Sequence, residues 1–366
     1  MSPKKKLLFI ISGLGVGGAE TALYTLLKNL KGIFEIEVIA LTQGGVLAEK
    51  IDALGIPTHI LNFKKIPSLL QTVRHFHKVT KNFQPDIIQG WMYHGNLFAH
   101  LARLFSPKSK VFLCIRQSLE DLKGEKKLTK AIITLDAKLS KQADKIIYNS
   151  YAGQRDHEGY GYAQGKGIVL PNGFDTHRFH PQKDAHQTLC ASLHIDPQSL
   201  LIGIIGRSHP VKDHATFIQA AELLSHPNAH FILIGEGVNR LEIPPSLQTK
   251  MHLLDLREDI PFLTAALDIL TSCSLSEGLP NTLCEAMACG ILCIATDVGD
   301  SKRIMGDTGI LIPVRSPQAL AQGWETLLAL PAQERNKRSQ KARKKICQEY
   351  SIQKLITTYQ AIVENA

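Results

Sequence analysis

No stretch of this sequence stays apolar for the roughly 20 residues that a membrane-spanning helix needs. The basic start, MSPKKK, followed by LLFIIS, has the outline of a secretion signal. Its apolar part is short, however, and runs into GLGVGGAE with no small-residue cleavage pattern, so it reads as a first buried strand. The cysteines are odd in number (Cys114, Cys190, Cys273, Cys284, Cys289, Cys293 and Cys347) and no two stand as C-x-x-C. That indicates neither a disulfide framework nor a zinc site, and leaves buried thiols in a reducing cytosol. No low-complexity segment or short-period repeat occurs. Acidic residues fall short of basic ones, 33 Asp and Glu against 42 Lys and Arg, for a net charge of +9. Such an excess favours anionic partners, whether phosphorylated substrates, acidic headgroups or nucleic acid, without choosing among them.

What is present is a soluble globular composition, 44% hydrophobic and 20% charged, in a 366-residue chain long enough for two domains. In the first half, apolar strands (LLFIIS, FEIEVIAL, THIL, DIIQGW, KVFLCI, DKIIYNS) alternate with segments of helical apolar spacing (AETALYTLLKNL, PSLLQTVRHFHKVTKNF, GNLFAHLARLF). Strict alternation predicts a parallel sheet covered on both faces. After PNGFDTHRFHP, residues 171–181, the series restarts with LLIGIIG, HFILIG, MHLLD, ILTS, LCIAT and GILIPV, and with helices in DHATFIQAAELL and NTLCEAMACG. Two last helices follow, at roughly 333–348 and 351–363. The positive charge is clustered at Lys4 to Lys6, at Lys123, Lys126, Lys127, Lys130, Lys138, Lys141 and Lys145, and at Arg74, His75, Lys78 and Lys81 before Pro85. Each cluster reads as a solvated helix face or as an attachment to an anionic membrane.

Three constellations carry chemistry. Gly13, Gly15, Gly17 and Gly18 follow the first strand and open a helix, which literally satisfies G-x-G-x-x-G. A dinucleotide site also needs an acid at the end of the second strand, and that strand ends Ile39-Ala40-Leu41-Thr42-Gln43. What remains is a close backbone approach and a helix start that can meet an anion. In the second half, Gly206-Arg207-Ser208 and then Lys212-Asp213-His214 bridge a strand and a helix. Arginine there supplies a planar fork and lysine a point charge, together suited to a diphosphate. Finally, Glu277 and Glu285 flank Gly278-Leu279-Pro280, with a helix predicted to start at about Asn281. Glu277 is then at a strand's carboxyl end and Glu285 on the helix's second turn, where both can accept hydrogen bonds from sugar and ribose hydroxyls. The plain alternative for each glutamate alone is a helix-terminus charge and a solvated side chain.

GGAE at 17–20, PNGFDTHRF at 171–179, GRSHPVKDH at 206–214, IGEG at 234–237, SEGLPNTLCEAMACG at 276–290 and ATDVGD at 295–300 together resemble the family 4 glycosyltransferases. The resemblance covers nearly the whole chain and implies an α/β protein of GT-B fold, two Rossmann-like domains facing across a cleft. Residues 1–178 would bind acceptor, 179–345 nucleotide-sugar, and a helix in 346–366 would cross back to the first domain. It implies a retaining, metal-independent hexosyl transfer from a UDP- or GDP-sugar, with no cofactor beyond that co-substrate. The acceptor would be a glycan or lipid-linked molecule of surface polysaccharide or lipopolysaccharide synthesis. The enzyme would be cytoplasmic, peripheral on the inner face of the membrane, and would bind no nucleic acid. Arg207 and Lys212 carry over as diphosphate ligands, Glu277 as a contact to the donor hexose and Glu285 to the ribose. Gly15, Gly17, Gly18, Gly206, Gly235, Gly278, Leu279, Pro280 and Asn281 complete the donor site.

The sequence contains no D-x-D, the carboxylate pair with which metal-using glycosyltransferases hold a cation on the diphosphate, so preorganised cationic side chains would stabilise the leaving group. One position departs from the family. Where a histidine often follows the fifth strand of the first domain, this chain has Gln117, which hydrogen-bonds but carries no proton. His94 is the nearest substitute, either lining the acceptor or donor site or packing as a loop histidine. Gln117 and Asn172 stand as contacts to acceptor or sugar. The halves are expected to close around the donor. A nicotinamide oxidoreductase using the GLGVGG loop, a non-catalytic sugar-binding protein, and the phosphorylases and epimerases of the same fold stay open as alternatives.

Overall fold

A computed structural model describes residues 3–15, 17–63, 69–119 and 127–366. Lys123 and Lys126 of the expected basic stretch lie outside the described residues. The chain forms two compact units, Met1–Gly173 with Gln353–Ala366, and Phe174–Ile352.

In the first unit the order is β1 (Lys6–Ile11), α1 (Gly18–Leu30), β2 (Glu35–Ala40), α2 (Val46–Ala53), β3 (Thr58–Ile60), α3 (Leu69–Phe83), β4 (Ile87–Trp91), α4 (Met92–Arg103), β5 (Lys110–Ile115), α5 (Lys127–Leu139), β6 (Lys145–Tyr148), α6 (Tyr151–Tyr160) and β7 (Gly167–Val169). The seven strands lie in the order β3-β2-β1-β4-β5-β6-β7, all parallel. β1 is apolar without alternation because both its faces are covered, and Leu7, Leu8, Phe9 and Ile10 are wholly buried. Each such side chain contributes roughly 1.5–3 kcal/mol on leaving water. α3 shows the opposite economy of pattern. Phe76, Val79 and Phe83 are buried, whereas Arg74, His75, Lys78 and Lys81 are exposed.

The second unit runs α7 (Ala185–Ser192), β8 (Leu200–Ile205), α8 (His214–Leu223), β9 (Ala229–Ile234), β10 (Met251–Leu254), α9 (Ile260–Ala265), β11 (Ile269–Ser272), α10 (Asn281–Ala288), β12 (Leu292–Thr296), α11 (Ser301–Met305), β13 (Ile310–Ile312), α12 (Pro317–Leu328) and α13 (Ala332–Glu349). Its parallel sheet has the order β10-β9-β8-β11-β12-β13. Trp324 of α12 is fully buried against Phe217 and Phe231, and its indole N–H donates to the Thr271 hydroxyl at 2.9 Å. All seven cysteines are free and six are buried.

The chain enters and leaves the second unit side by side. The Phe174 N–H donates to the Tyr350 carbonyl at 2.8 Å and the Ile352 N–H to the Phe174 carbonyl at 3.1 Å. Arg343 of α13 donates to the carbonyls of Thr176, Phe179 and Ala288, which ties 174–179 to this unit. α14 (Ile352–Glu364) then packs Leu355, Ile356, Tyr359, Ile362 and Val363 into the first unit's core. There the Tyr359 hydroxyl donates to Gln89 Oε1 at 2.5 Å and its ring stacks 6.5 Å from Phe9. Among the described residues no helix is long and apolar enough to cross a membrane.

In each sheet the strand order reverses once, between β1 and β4 and between β8 and β11. Connections leave such a point in opposite directions and open a crevice at the strands' carboxyl ends, where open α/β sheets hold ligands.

Candidate functional site

In the second unit the switch point gathers the strongest predicted residues. The loop after β8 carries Gly206 and Arg207, then a short turn at Pro210–Lys212. The loop after β11 carries Ser274 and Glu277. The Leu275 N–H donates to the Val211 carbonyl at 2.8 Å, so the two loops are stitched together. Lys212 Nζ donates to Glu277 Oε1 at 2.6 Å, and Ser274 Oγ donates to the same oxygen at 2.7 Å. The lysine side chain is 28% exposed and the glutamate 15%, so the pair is partly open to solvent. Arg207 is exposed beside it. Asp213 takes left-handed backbone (φ 48°), and its carboxylate caps α8 by accepting from the Thr216 N–H and, at 2.7 Å, the Thr216 hydroxyl. That strain, of order 1 kcal/mol, turns the chain sharply enough to aim Lys212 at Glu277.

Two glycines of the predicted donor motifs are spacers. Gly235 (φ 144°) leaves room for the Gly206 carbonyl, with which a β-carbon would collide, and Gly299 (φ 55°) does the same for the Glu277 carbonyl. Their role is to let the Arg207 and Glu277 loops approach. Gly278 accepts from the Asp300 N–H at 3.1 Å. Leu279 and Pro280 are buried, Leu279 within the core. Neither side chain is a surface group, so what they offer a ligand is backbone shape. Asn281 begins α10 as expected, and Glu285 sits on its second turn, partly buried. Burial pushes the Glu285 carboxyl up to about 7, opposed by the positive charge of Arg178.

In the first unit the switch point opens a pocket of about 430 Å³. Ile11 and Ser12 end β1, Gly18 to Glu20 open α1, and Met92 to His94 follow β4; Arg116, Gln117 and Thr129 complete it. Met92 has left-handed backbone (φ 62°), the counterpart of Asp213, and this turn carries Tyr93 and His94 into the wall. His94 is exposed on the first turn of α4, and partial burial lowers its pKa, which favours the neutral ring. Gln117 Nε2 donates to the Tyr93 hydroxyl at 3.0 Å. Arg116 is tied down by donation to Asn172 Oδ1 and, at 3.3 Å, to the Leu170 carbonyl, with its guanidinium 5.1 Å above the Trp91 ring. Gly15 is open, and Gly17 caps α1. The Glu20 carboxylate folds over Gly17, so the helix start predicted to meet an anion carries a carboxylate of its own.

At the end of β2, the Thr42 hydroxyl donates to the Ser12 carbonyl at 2.6 Å where a dinucleotide site would place its acid. The structure thus brings Lys212 and Glu277 together, beside Arg207, and separately gathers His94, Gln117, Gly18 and the arginine that holds Asn172. Sequence reasoning missed Ser274, Asp213, Arg178, Glu20, Tyr93 and Arg116. Ser274 and Asp213 are close neighbours of predicted residues, and only their distances reveal a role.

Two family models match the chain, Glycosyltransferase Family 4 over residues 16–178 and Glycosyl transferases group 1 over residues 199–329, one for each switch point. An enzyme of Campylobacter jejuni, N-acetylgalactosamine-N,N'-diacetylbacillosaminyl-diphospho-undecaprenol 4-alpha-N-acetylgalactosaminyltransferase, is 26% identical over 346 residues, covering 88% of this chain and 90% of that one. The UDP-Gal:alpha-D-GlcNAc-diphosphoundecaprenol alpha-1,3-galactosyltransferase of Escherichia coli is 29% identical over 140 residues, 36% of each chain. The structure of HepE from Anabaena in complex with UDP-glucose matches with a TM-score of 0.84 at 20% identity, over 99% of this chain and 100% of that one, which bears on the fold alone. With matched models spanning both units and glycosyltransferases among its relatives, the chain belongs to glycosyltransferase family 4 and is a transferase of GT-B fold.

Proposed function

We propose that this glycosyltransferase moves a hexose-type sugar from a UDP- or GDP-sugar to a glycan or lipid-linked acceptor, with retained anomeric configuration and no metal ion. The observation that carries the reading is the Lys212–Glu277–Ser274 cluster beside Arg207 at the β8/β11 switch point. Arg207 and Lys212 would hold the diphosphate, offsetting by fixed charge the negative charge that grows as the bond from C1 to the diphosphate oxygen breaks. Glu277 Oε1 already takes two protein donors, so Oε2 is the oxygen for a hexose hydroxyl. The carboxylate of Glu285 would accept from the ribose, and the N–H groups after Gly278 would meet phosphate oxygens. The acceptor oxygen then bonds to C1 on the face the diphosphate leaves, and its proton passes to a leaving-group phosphate oxygen. No protein nucleophile and no cofactor enters this sequence.

The relatives from C. jejuni and E. coli are named for acceptors on a diphospho-undecaprenol carrier, which supports a lipid-linked acceptor and surface glycan assembly here. Exposed Leu70 and Val73 on α3, next to Arg74, Lys78 and Lys81, support peripheral attachment to the anionic inner face of the cytoplasmic membrane. A thermal-shift screen of UDP-, GDP-, ADP- and dTDP-sugars in EDTA tests the donor. One nucleotide-sugar should stabilise the protein, and Arg207→Ala should remove the effect. Stabilisation that needs a divalent cation, or that comes from NAD alone, would sink the reading. Failure to sediment with anionic vesicles at physiological salt would sink the membrane part.

A further inference from the structure

The wall of the first unit's pocket leads into a chain of hydrogen bonds whose direction is fixed from its far end. His157 on α6 is fully buried, and its Nδ1 lies 2.7 Å from the Gly153 carbonyl. A carbonyl only accepts, so Nδ1 carries the proton. The ring is packed among Tyr93, Tyr148 and Tyr162, with centroids 5.8, 5.8 and 5.1 Å away, and burial pushes its pKa down to about 4. A neutral ring protonated at Nδ1 has a bare Nε2, which stands 2.8 Å from the Tyr93 hydroxyl. Tyr93 must therefore donate its single proton to His157. Its oxygen can then only accept from Gln117, which obliges the glutamine to present Nε2.

We infer that Tyr93 and His157 are positioning residues that lock the Gln117 amide, turning Oε1 into the pocket as an acceptor for a substrate hydroxyl. The inference rests on the transferase reading of this pocket, and it names the ligand chemistry. Oε1 of Gln117 and the carboxylate of Glu20 both accept, so this wall takes a neutral hydroxyl-bearing group such as a sugar ring and disfavours a phosphate. The proton donor that a histidine at position 117 would supply is absent. The relay replaces it with one fixed orientation.

Two arms test this on the whole protein. In the first, ¹⁵N-histidine NMR reads the His157 ring at pH 7 with no substrate, assigned through contacts to the Tyr93 and Tyr162 rings. A neutral ring protonated at Nδ1 is expected. A ring protonated at Nε2, or at both nitrogens, overturns the relay. The second arm compares Gln117→Glu with wild type in consumption of UDP-glucose or GDP-mannose across pH 5 to 8. The new carboxyl faces Tyr93, Glu20, His94 and Arg116 in the pocket, with His157, Tyr148, Tyr162 and Asp136 behind. Only its protonated form can donate to the Tyr93 oxygen. A glutamate carboxyl is ionised through most of that range, so turnover should fall about tenfold below wild type, the worth of one hydrogen bond. Adding Tyr93→Phe removes the oxygen that needs a donor and should restore most of that loss. A single variant as active as wild type, or a loss that Tyr93→Phe does not restore, overturns the proposal. If neither sugar is consumed, the NMR arm decides alone. The Nδ1–H ring without turnover by any donor would then count against the transfer reading and leave the relay standing.

Discussion

The two switch points solve the same topological situation with different chemistry. Each has a non-glycine residue held in left-handed backbone at the turn, Met92 after β4 and Asp213 before α8. In the second unit that turn presents charge. Lys212, Glu277 and Arg207 come from two loops joined by a backbone hydrogen bond. In the first unit the turn presents Tyr93, whose hydroxyl, set from behind by His157, acts on the Gln117 amide. Charge can be positioned by a short loop because its field is felt over several ångströms, whereas an amide must be turned by partners within hydrogen-bond reach.

If that contrast is right, the largest losses follow removal of the charged cluster. Glu277→Ala and Lys212→Ala should each lower kcat by about 10²–10³, the usual effect of removing one preorganised electrostatic group. The pair is partly exposed, so its loss should cost the fold less than ~1 kcal/mol once solvent screening is allowed for. Steady-state kinetics with a melting curve on the same sample check both halves, and a variant that loses activity by unfolding would break the comparison. Arg207→Ala comes next. Its side chain is exposed, so stability should be unchanged while donor affinity falls roughly ten- to hundredfold, the range for charge-assisted hydrogen bonds. Calorimetric titration of the donor at two salt concentrations reads it, and wild-type affinity would remove Arg207 from the site.

The same contrast explains what the sequence disclosed. The strands are continuous apolar runs and the helices keep their period, so the two parallel sheets were legible, as were the last two helices near 333–348 and 351–363, found at Ala332–Glu349 and Ile352–Glu364. That Arg207, Lys212 and Glu277 lie in the loops at the carboxyl ends of β8 and β11 was legible because loop placement at a strand end is local. The short elements α2, α7, α9 and α11 were missed because each is no more than about two turns long, and the longer α5, α6 and α12 were not read as helices either. Tyr93, Gln117 and His157 stand tens of residues apart and have ordinary neighbours. Only the fold brings a tyrosine after β4, a glutamine after β5 and a histidine on α6 to one point. Leu279 and Pro280 show the reverse limit, since a motif residue two or three positions from Glu277 can serve the core.

Smaller effects separate two carboxyls that share one property. Burial pushes Glu285 in the second unit and Asp136 in the first up to about 7. On the proposed reading, the carboxylate of Glu285 is the form that accepts from ribose hydroxyls. Donor affinity should therefore rise severalfold as pH passes upward through about 7, and Glu285→Gln should remove that rise. Donor titrations at pH 6 and 8 decide it, and an equal rise in the variant would assign the dependence to another group.

Asp136 has the same shift without a ligand to serve. It is fully buried on α5, where Asn96 Nδ2 and the Tyr162 hydroxyl both donate to Oδ2 at 2.9 Å. Those bonds favour the ionised form, and burial outweighs them. A carboxyl whose folded pKa exceeds its unfolded value holds its proton more tightly in the native state. Its contribution to stability is complete below the unfolded value near 4 and is lost as pH rises through about 7. Melting at pH 8 should therefore fall a few degrees below melting at pH 5. Asp136→Asn, which cannot ionise, should narrow that gap and leave donor affinity and its pH dependence as in wild type. If instead the substitution flattened the donor's pH profile as Glu285→Gln does, the two carboxyls would serve one function. The division between a site that binds through charge and a pocket held in shape from behind would then fail.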